Sequence, residues 1–199
     1  IYFNSDGREG SMCGNGGRCL VKFAHDHGIV KDAYHFIASD GPHDATIQEN
    51  GLVRLKMKDV DNVSVSSESS VLNTGSPHYI HWVTDLDGYD VYNQGKSIRY
   101  SDTYKQEGIN VNFVKKEEHG IRVRTYERGV EDETLSCGTG VTAAAIASSA
   151  KMGQQHINVQ VEGGALAVSF NRIAEKHFTD IWLIGPATFV YSGNYSANV

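Results

Sequence analysis

The stretch Met12-Cys13-Gly14-Asn15-Gly16-Gly17-Arg18-Cys19 returns later in the chain as Ser136-Cys137-Gly138-Thr139-Gly140-Val141. In both, one cysteine stands directly before a Gly-x-Gly step, and an apolar, helix-like segment follows. Cys137 lies 124 positions after Cys13, and a tyrosine precedes each cysteine by 11 positions, Tyr2 in one case and Tyr126 in the other. Both spacers are rich in acids and turn formers, Asp6-Gly7-Arg8-Glu9 and Glu131-Asp132-Glu133-Thr134. A repeat carried this far reads as an internal duplication with one cysteine per half.

Each cysteine is thereby placed at a helix N-terminus. There the first amides lack intrahelical partners and the helix dipole is positive. That setting favours a reactive thiolate, and the same amides can hold a carboxylate. Two such ends facing each other would clamp one carboxylate, with a sulfur on either side of the adjacent carbon. The arrangement suits removal of a proton from one face and delivery to the other. The alternative for a free cysteine is a small buried hydrophobe. The repeat and the polar neighbours argue against it for Cys13 and Cys137. Cys19, inside the helix pattern with no glycine after it, is read as a buried residue of that kind.

Composition narrows the classes. The chain has 199 residues, 40% hydrophobic and 21% charged, enough for one large domain or two small ones with their own cores. A net charge of −6 with scattered Lys and Arg argues against a nucleic-acid or anionic-membrane surface. No run approaches the roughly 18 apolar residues of a membrane span, and no signal-peptide pattern is visible. Three cysteines do not suggest a disulfide framework, and a working thiolate suits a reducing, cytoplasmic setting. Cys13, Cys19, His25 and His27 are spaced more widely than zinc ligands usually are, and the two cysteines fall on nearly opposite sides of a helix; no metal is expected. Neither glycine stretch carries the Lys-Ser/Thr of a phosphate-binding loop, and Gly138-Thr139-Gly140 lacks the third glycine of a dinucleotide fingerprint.

Periodicity supplies the elements. A helix is predicted over 16–27, closed by Gly28, then a strand over 33–39. A hairpin follows, 44–49 and 52–58, whose Asn50-Gly51 favours a type I′ turn. Its second arm alternates Val53, Leu55 and Met57 with Arg54, Lys56 and Lys58, so one face is buried. Residues 59–70 form a polar, Ser-rich connector, read as a domain boundary. Strands are predicted over 71–74, 78–84, 110–115 and 121–127. From Gly138 to Met152 the helical pattern has no polar face, which marks a buried helix. Strands over 156–161, 166–170 and 180–184 follow, and 187–191 reads as a last one. The expectation is an α+β fold of two halves, 1–70 and 71–186, each a mixed or antiparallel β-sheet around a buried central helix. Strand-like material begins at about Val71 in the second half, whereas 12 residues precede Cys13. The native first half is therefore expected to start before Ile1.

Outside the glycine motifs, Glu127-Arg128 ends a strand ten residues before Cys137. It reads either as a surface ion pair or as a carboxylate for an ammonium beside a guanidinium for a carboxylate. Asn4 falls at the repeat equivalent of Arg128. His78, after Pro77, is either a core histidine or a proton partner. Asn110 and Asn112 alone carry no signal.

Together, Phe3-Asn4-Ser5-Asp6-Gly7, Met12-Cys13-Gly14-Asn15-Gly16, Gly75-Ser76-Pro77-His78, Asn110-Val111-Asn112-Phe113, Tyr126-Glu127-Arg128-Gly129, Glu133-Thr134, Cys137-Gly138-Thr139-Gly140 and Gly185-Pro186-Ala187 resemble the diaminopimelate epimerase family, in this order and over nearly the whole chain. The resemblance implies two pseudo-symmetric domains with a site in the cleft between them, and a final strand, about 187–199, that pairs back with the first. It implies interconversion of L,L- and meso-diaminopimelate, in lysine and cell-wall precursor synthesis, with no cofactor. Cys13 and Cys137 would alternate as thiolate base and thiol acid. Amides around Gly14-Asn15 and Gly138-Thr139 would hold the reacting α-carboxylate. Asn4, Asn110, Glu127 and Arg128 would read the distal amino-acid end. Ser76 stands where the family commonly has asparagine, a further distal contact, and the family's opening glycine- and asparagine-containing strand segment is not part of this sequence.

Other readings stay open. A two-thiol racemase of the proline-racemase type is the nearest, although Glu127-Arg128 argues for a substrate with a second charged end. A thiol redox protein would more often show a C-x-x-C pair, and a non-catalytic binding relic is a third. The expected partner is a small-molecule substrate. The oligomeric state is open, a homodimer among the options.

Overall fold

A computed structural model describes residues 3, 7 and 12–194. In chain order the elements are α1 (Gly14–Asp26), β1 (Tyr34–Ala38), β2 (Gly41–Ile47), β3 (Val53–Lys56), β4 (Val63–Val65), β5 (Ser69–Asn73), β6 (Pro77–Trp82), α2 (Val91–Arg99), β7 (Asn110–Glu117), β8 (Gly120–Glu127), β9 (Asp132–Thr134), α3 (Gly138–Ser148), β10 (Gly153–Val161), β11 (Gly164–Ala174) and β12 (His177–Gly185). The fold is α+β, a large mixed sheet with three helices among the described residues.

The strands run β1-β2-β3-β12-β11-β10-β8-β7-β6-β5-β4, with β9 paired to β8. Two neighbours are parallel, β6 with β7 and β8 with β10. Parallel neighbours need a crossover, and these crossovers carry α2 and α3. α2 covers one face of the sheet, its Val91 packed with Leu86, Ile109, Val111, Phe113 and Tyr126. α3 lies on the other face, against β5, β6, β7, β8, β10, β11 and β12. The segment after β3 follows β12, through Met57 N–H to the Ile181 carbonyl at 2.9 Å and a bridge between Val60 and Phe178. It then continues into β4, which pairs with β5. The strands thus close around α3.

That enclosure explains the composition of α3. Every residue from Gly138 to Ile146 is buried, so a charged side chain would have no route to water. α1 differs: Gly14, Gly17, Arg18 and Val21 are buried, whereas Leu20 and Phe23 are more than half exposed. Its inner face packs on β2 and β3, where a Cβ on Gly17 would lie 2.9 Å from Met12 Cε and 3.0 Å from Leu55 Cδ2.

Several expectations are corrected. The stretch 59–70 is not a structureless connector: it holds β4 and the start of β5. Val60 and Val63, both buried, are the apolar steps its serines obscured. The Asn50-Gly51 hairpin is not type I′, because Gly51 has φ 81° and Asn50 is not among the positive-φ residues. The Gly51 amide reaches the Gln48 carbonyl, and Gln48 N–H pairs with the Leu52 carbonyl, the longer loop with glycine in the left-handed position. α3 stops at Ser148 rather than Met152, its C-cap Ser149 extended at φ −69°, ψ 121°. Residues 187–191 form no strand. Periodicity does not reveal α2 or β9. Cys19 is exposed rather than buried, because it faces away from β2 and β3.

Candidate active site

Cys13 and Cys137 are the N-cap residues of α1 and α3, with nearly the same extended backbone: φ −101°, ψ 114° and φ −113°, ψ 109°. The two helix ends touch. A Cβ on Gly138 would stand 3.0 Å from the Gly14 Cα, and one on Gly14 would stand 3.2 Å from the Gly138 Cα, with Leu183 Cδ2 against both. Only glycine at both positions lets the backbones meet this closely. The first-turn amides of each helix have no preceding carbonyl within the helix to bond.

The surroundings of the two sulfurs differ. Cys13 is partly exposed, and its Sγ accepts from the Gly16 N–H at 3.4 Å. Asn15, two residues on, turns away: its amide donates to the Ser136 carbonyl at 3.2 Å and its oxygen accepts from Arg18 Nη2 at 2.9 Å. Arg18, buried, also donates to the carbonyls of Gly14 and Pro186, tying α1, the entry to α3 and the end of β12 together.

Cys137 is buried, and its Sγ lies 3.5 Å from Thr139 Oγ1. Burial, then the charge of Glu127, pushes its thiol up to about 12. Thr139 Oγ1 lies 2.9 Å from Nε2 of His78, which is wholly buried on β6. The His78 Nδ1 faces the Asn112 amide at 3.1 Å. Burial, with the Arg128 charge second, brings His78 down to about 3, so its ring is neutral near pH 7. Thr74 Oγ1 donates to the Thr139 carbonyl at 2.8 Å.

Ser76, Asn110 and Arg128 form a second cluster. Ser76 Oγ accepts from Asn110 Nδ2 at 2.9 Å and from Arg128 Nη2 at 3.3 Å. Asn110 Oδ1 accepts from the Arg128 backbone N–H at 2.9 Å, and Arg128 Nη1 donates to the Glu107 carbonyl at 2.9 Å. Glu127 turns elsewhere, accepting from Thr134 Oγ1 at 2.9 Å. Burial raises its carboxyl above the usual range. Glu127 and Arg128 are therefore not an ion pair with each other, and both charges have other neighbours. Asn4 lies outside the described residues.

Sequence reading missed Arg18, Thr74 and Thr125, and gave Asn112 no weight. Alternation hides those on strands: Asn110 and Asn112 alternate with Val111 and Phe113 as on a strand with one wet face, but β7 is buried on both faces from Asn110 to Val114, and Thr125 is buried between Arg124 and Tyr126 on β8. All three are buried.

The comparisons agree in direction. The family model for diaminopimelate epimerase matches residues 70–190. A diaminopimelate epimerase of Flavobacterium psychrophilum is 52% identical over 194 residues, covering 96% of this chain and 75% of the relative. Those of Chlorobaculum tepidum and Aquifex aeolicus are 40% and 37% identical, covering 96% and 100% of this chain and 77% and 74% of the relatives. Among solved structures, a phenazine biosynthesis protein of the PhzF family from Bacillus anthracis superposes with a TM-score of 0.71 at 15% identity, over 94% of this chain and 77% of that one. A probable proline racemase from Agrobacterium radiobacter, with bound carbonate, gives 0.64 at 17% identity, over 96% and 70%. At these identities the structures show a shared fold alone. Matched by the family model over more than half its length and by relatives along nearly all of it, the chain belongs to the diaminopimelate epimerase family.

Proposed function

We propose that this chain interconverts L,L- and meso-diaminopimelate by moving one α-proton between two sulfurs, as an isomerase of lysine and peptidoglycan-precursor biosynthesis. The observation that carries the reading is the contact of two helix N-termini, Gly14 against Gly138, each preceded by a cysteine. A carboxylate at that junction would meet free amides of both helices, with its α-carbon between Cys13 and Cys137.

The step balances without an outside reagent. One sulfur, as thiolate, takes the α-proton from one face; the carbanion's charge is stabilised through the carboxylate held by amides around Gly14-Asn15 and Gly138-Thr139. The other sulfur, as thiol, delivers its proton to the opposite face. The configuration at carbon inverts and the thiol and thiolate exchange places. Cys137, buried beside Glu127, holds its proton at rest, the form needed where it acts as the acid. Ser76, Asn110, Glu127, Arg128 and, by the repeat, Asn4 would receive the distal amino-acid end. The Ser76 hydroxyl supports this by steadying Arg128 and Asn110 together. His78 would serve the Cys137 side.

The test is epimerisation of L,L-diaminopimelate without added pyridoxal phosphate or metal. Turnover with proline at a similar kcat/KM would overturn the reading and favour a proline-racemase type of substrate, for which Arg128 has no use.

A further inference from the structure

The groups leading away from Cys137 form a chain whose hydrogen bonds point one way. Tyr79 presents a carbonyl, an obligate acceptor, so the Asn112 atom 3.1 Å from it is the amide nitrogen. That fixes the side chain: Oδ1 faces the Thr125 hydroxyl at 2.9 Å, and Nδ2 faces His78 Nδ1 at 3.1 Å. Since Nδ2 donates, Nδ1 must accept, and a neutral imidazole then carries its hydrogen on Nε2. Nε2–H donates to Thr139 Oγ1 at 2.9 Å. With a lone pair so used, the single hydroxyl hydrogen of Thr139 is free to donate to Cys137 Sγ, 3.5 Å away.

We infer that Asn112 and Thr125 are positioning residues for the reaction: they lock His78 as a neutral Nε2–H donor, so that the Thr139 hydroxyl points its hydrogen at Cys137 whenever that sulfur is a thiolate. His78 in this role is not a base for Cys137. It polarises a hydroxyl and makes charge on the buried sulfur less costly. The remaining groups facing Cys137 are Glu127 at the end of β8, which opposes that charge, the Gly140 amide on α3, which favours it, and Cys13 from α1. Arg128 adds positive charge near His78. The second glycine of the motif belongs to this device, because a Cβ on Gly140 would lie 2.4 Å from Asn112 Oδ1 and 3.3 Å from His78 Cε1. Among the described residues Cys13 has no such chain, its Sγ taking the Gly16 amide.

The inference rests on the two-thiol reading, and its first test does not depend on activity. Nitrogen-15 NMR of the histidines, with His78 assigned through His78→Gln, is expected to show His78 protonated on Nε2 alone from pH 5 to 8. Protonation on Nδ1, or an imidazolium at pH 7, overturns it. The second test follows the rate of alkylation of Cys137 by iodoacetamide at about pH 8, mapped by peptide mass. Thr139→Val, which removes the hydroxyl at nearly constant shape, and Asn112→Leu are each expected to slow it about tenfold, the equivalent of about one pH unit in the proton affinity of the sulfur. Thr139→Ser should keep the wild-type rate. Exchange of the α-proton with heavy water from the isomer that uses Cys137 as base should fall about tenfold more than from the other. If a folded Thr139→Val, or Thr139→Ala in its place, leaves the alkylation rate unchanged, or slows α-proton exchange equally from both isomers, the donor chain is not acting on Cys137. Absence of epimerisation in the wild type beside the expected NMR and alkylation results would sink the two-thiol function and leave the donor chain standing.

Discussion

α1 and α3 begin alike and end in different surroundings. Each is capped by a cysteine in extended backbone, and each offers a glycine to the other at their junction. Beyond the first turn they diverge. Strands surround α3 on every side and it carries no charge, whereas α1 packs one face on β2 and β3 and turns Leu20 and Phe23 outward. The difference reaches the sulfurs. Cys13 stays partly exposed and takes a backbone amide, while Cys137 is buried with Thr139 against its sulfur, Glu127 acting on it and His78 behind Thr139. A repeated motif can therefore make two copies of a helix start without making two equal thiols. Proton affinity is set by desolvation and neighbouring charge, which depend on what packs around the motif.

The sharpest way to break this comparison is to replace the cysteines one at a time. Serine nearly keeps the size but raises the pKa far above that of a thiol, so it is a poor base and a less impaired acid. Cys13→Ser and Cys137→Ser should each lose epimerisation by roughly 10²–10⁴-fold and should favour opposite isomers in α-proton exchange in heavy water. Should both favour the same isomer, the sulfurs do not address opposite faces.

Acid acts on the Cys137 side of the site through His78. With His78 near 3 when folded and about 6.5 when unfolded, the unfolded chain binds the extra proton first. Its contribution is fully present above about pH 6.5 and is lost as pH falls towards 3, at roughly 1.4 kcal/mol per pH unit within that window. Urea unfolding between pH 7 and 4 should show this slope in the wild type and a shallower one in His78→Gln. Equal slopes would mean that His78 is protonated in the folded protein.

The third test uses the matched glycines. Gly140→Ala drives a Cβ to 2.4 Å from Asn112 Oδ1, whereas Gly16→Ala meets, among the described residues, only Cys13 atoms at 3.5 and 3.7 Å. The first should destabilise by about 1–3 kcal/mol through overpacking. The second should be neutral or stabilising by up to about 1 kcal/mol, since alanine is the better helix former. Urea midpoints decide it, and an equal loss at both positions would mean that the repeat, not the local packing, governs tolerance. The smallest effect belongs to Cys19. Exposed and touching neither helix end, it should react first with iodoacetamide, and Cys19→Ala should change stability by less than about 0.5 kcal/mol and kcat/KM by less than twofold.

Much of this molecule is legible in its residues alone. The Cys-Gly-x-Gly steps announce both helix starts, because a cap and its glycines are local chemistry. The unbroken apolar run of α3 announces its burial, and alternation at Val53, Leu55 and Met57 gives the inward face of β3 and the residues after it. Local rules also mislead. Serines hide β4 and the start of β5, and Asn50-Gly51 suggests a turn that the longer loop replaces. Cys19 falls on the outer face of a helix whose covered side depends on β2 and β3. Among the candidate residues, Cys13, Cys137, Glu127 and Arg128 stand out by motif, whereas Asn112, Thr125 and Arg18 are ordinary letters until their partners are known.

The sequence by itself determined the repeated caps, the charge-free helix and the strand periods, since each is written in residues a few positions apart. Only the tertiary structure decided that Gly14 meets Gly138, that β12 pairs with β3, that the Val60–Phe178 bridge closes the strands around α3, and that Cys137 shares a buried network with residues from β6, β7 and β8. Those partners are distant along the chain: His78 and Thr139 stand 61 positions apart, and His78 and Asn112 stand 34 apart. Their energies come from mutual burial, which no local window contains.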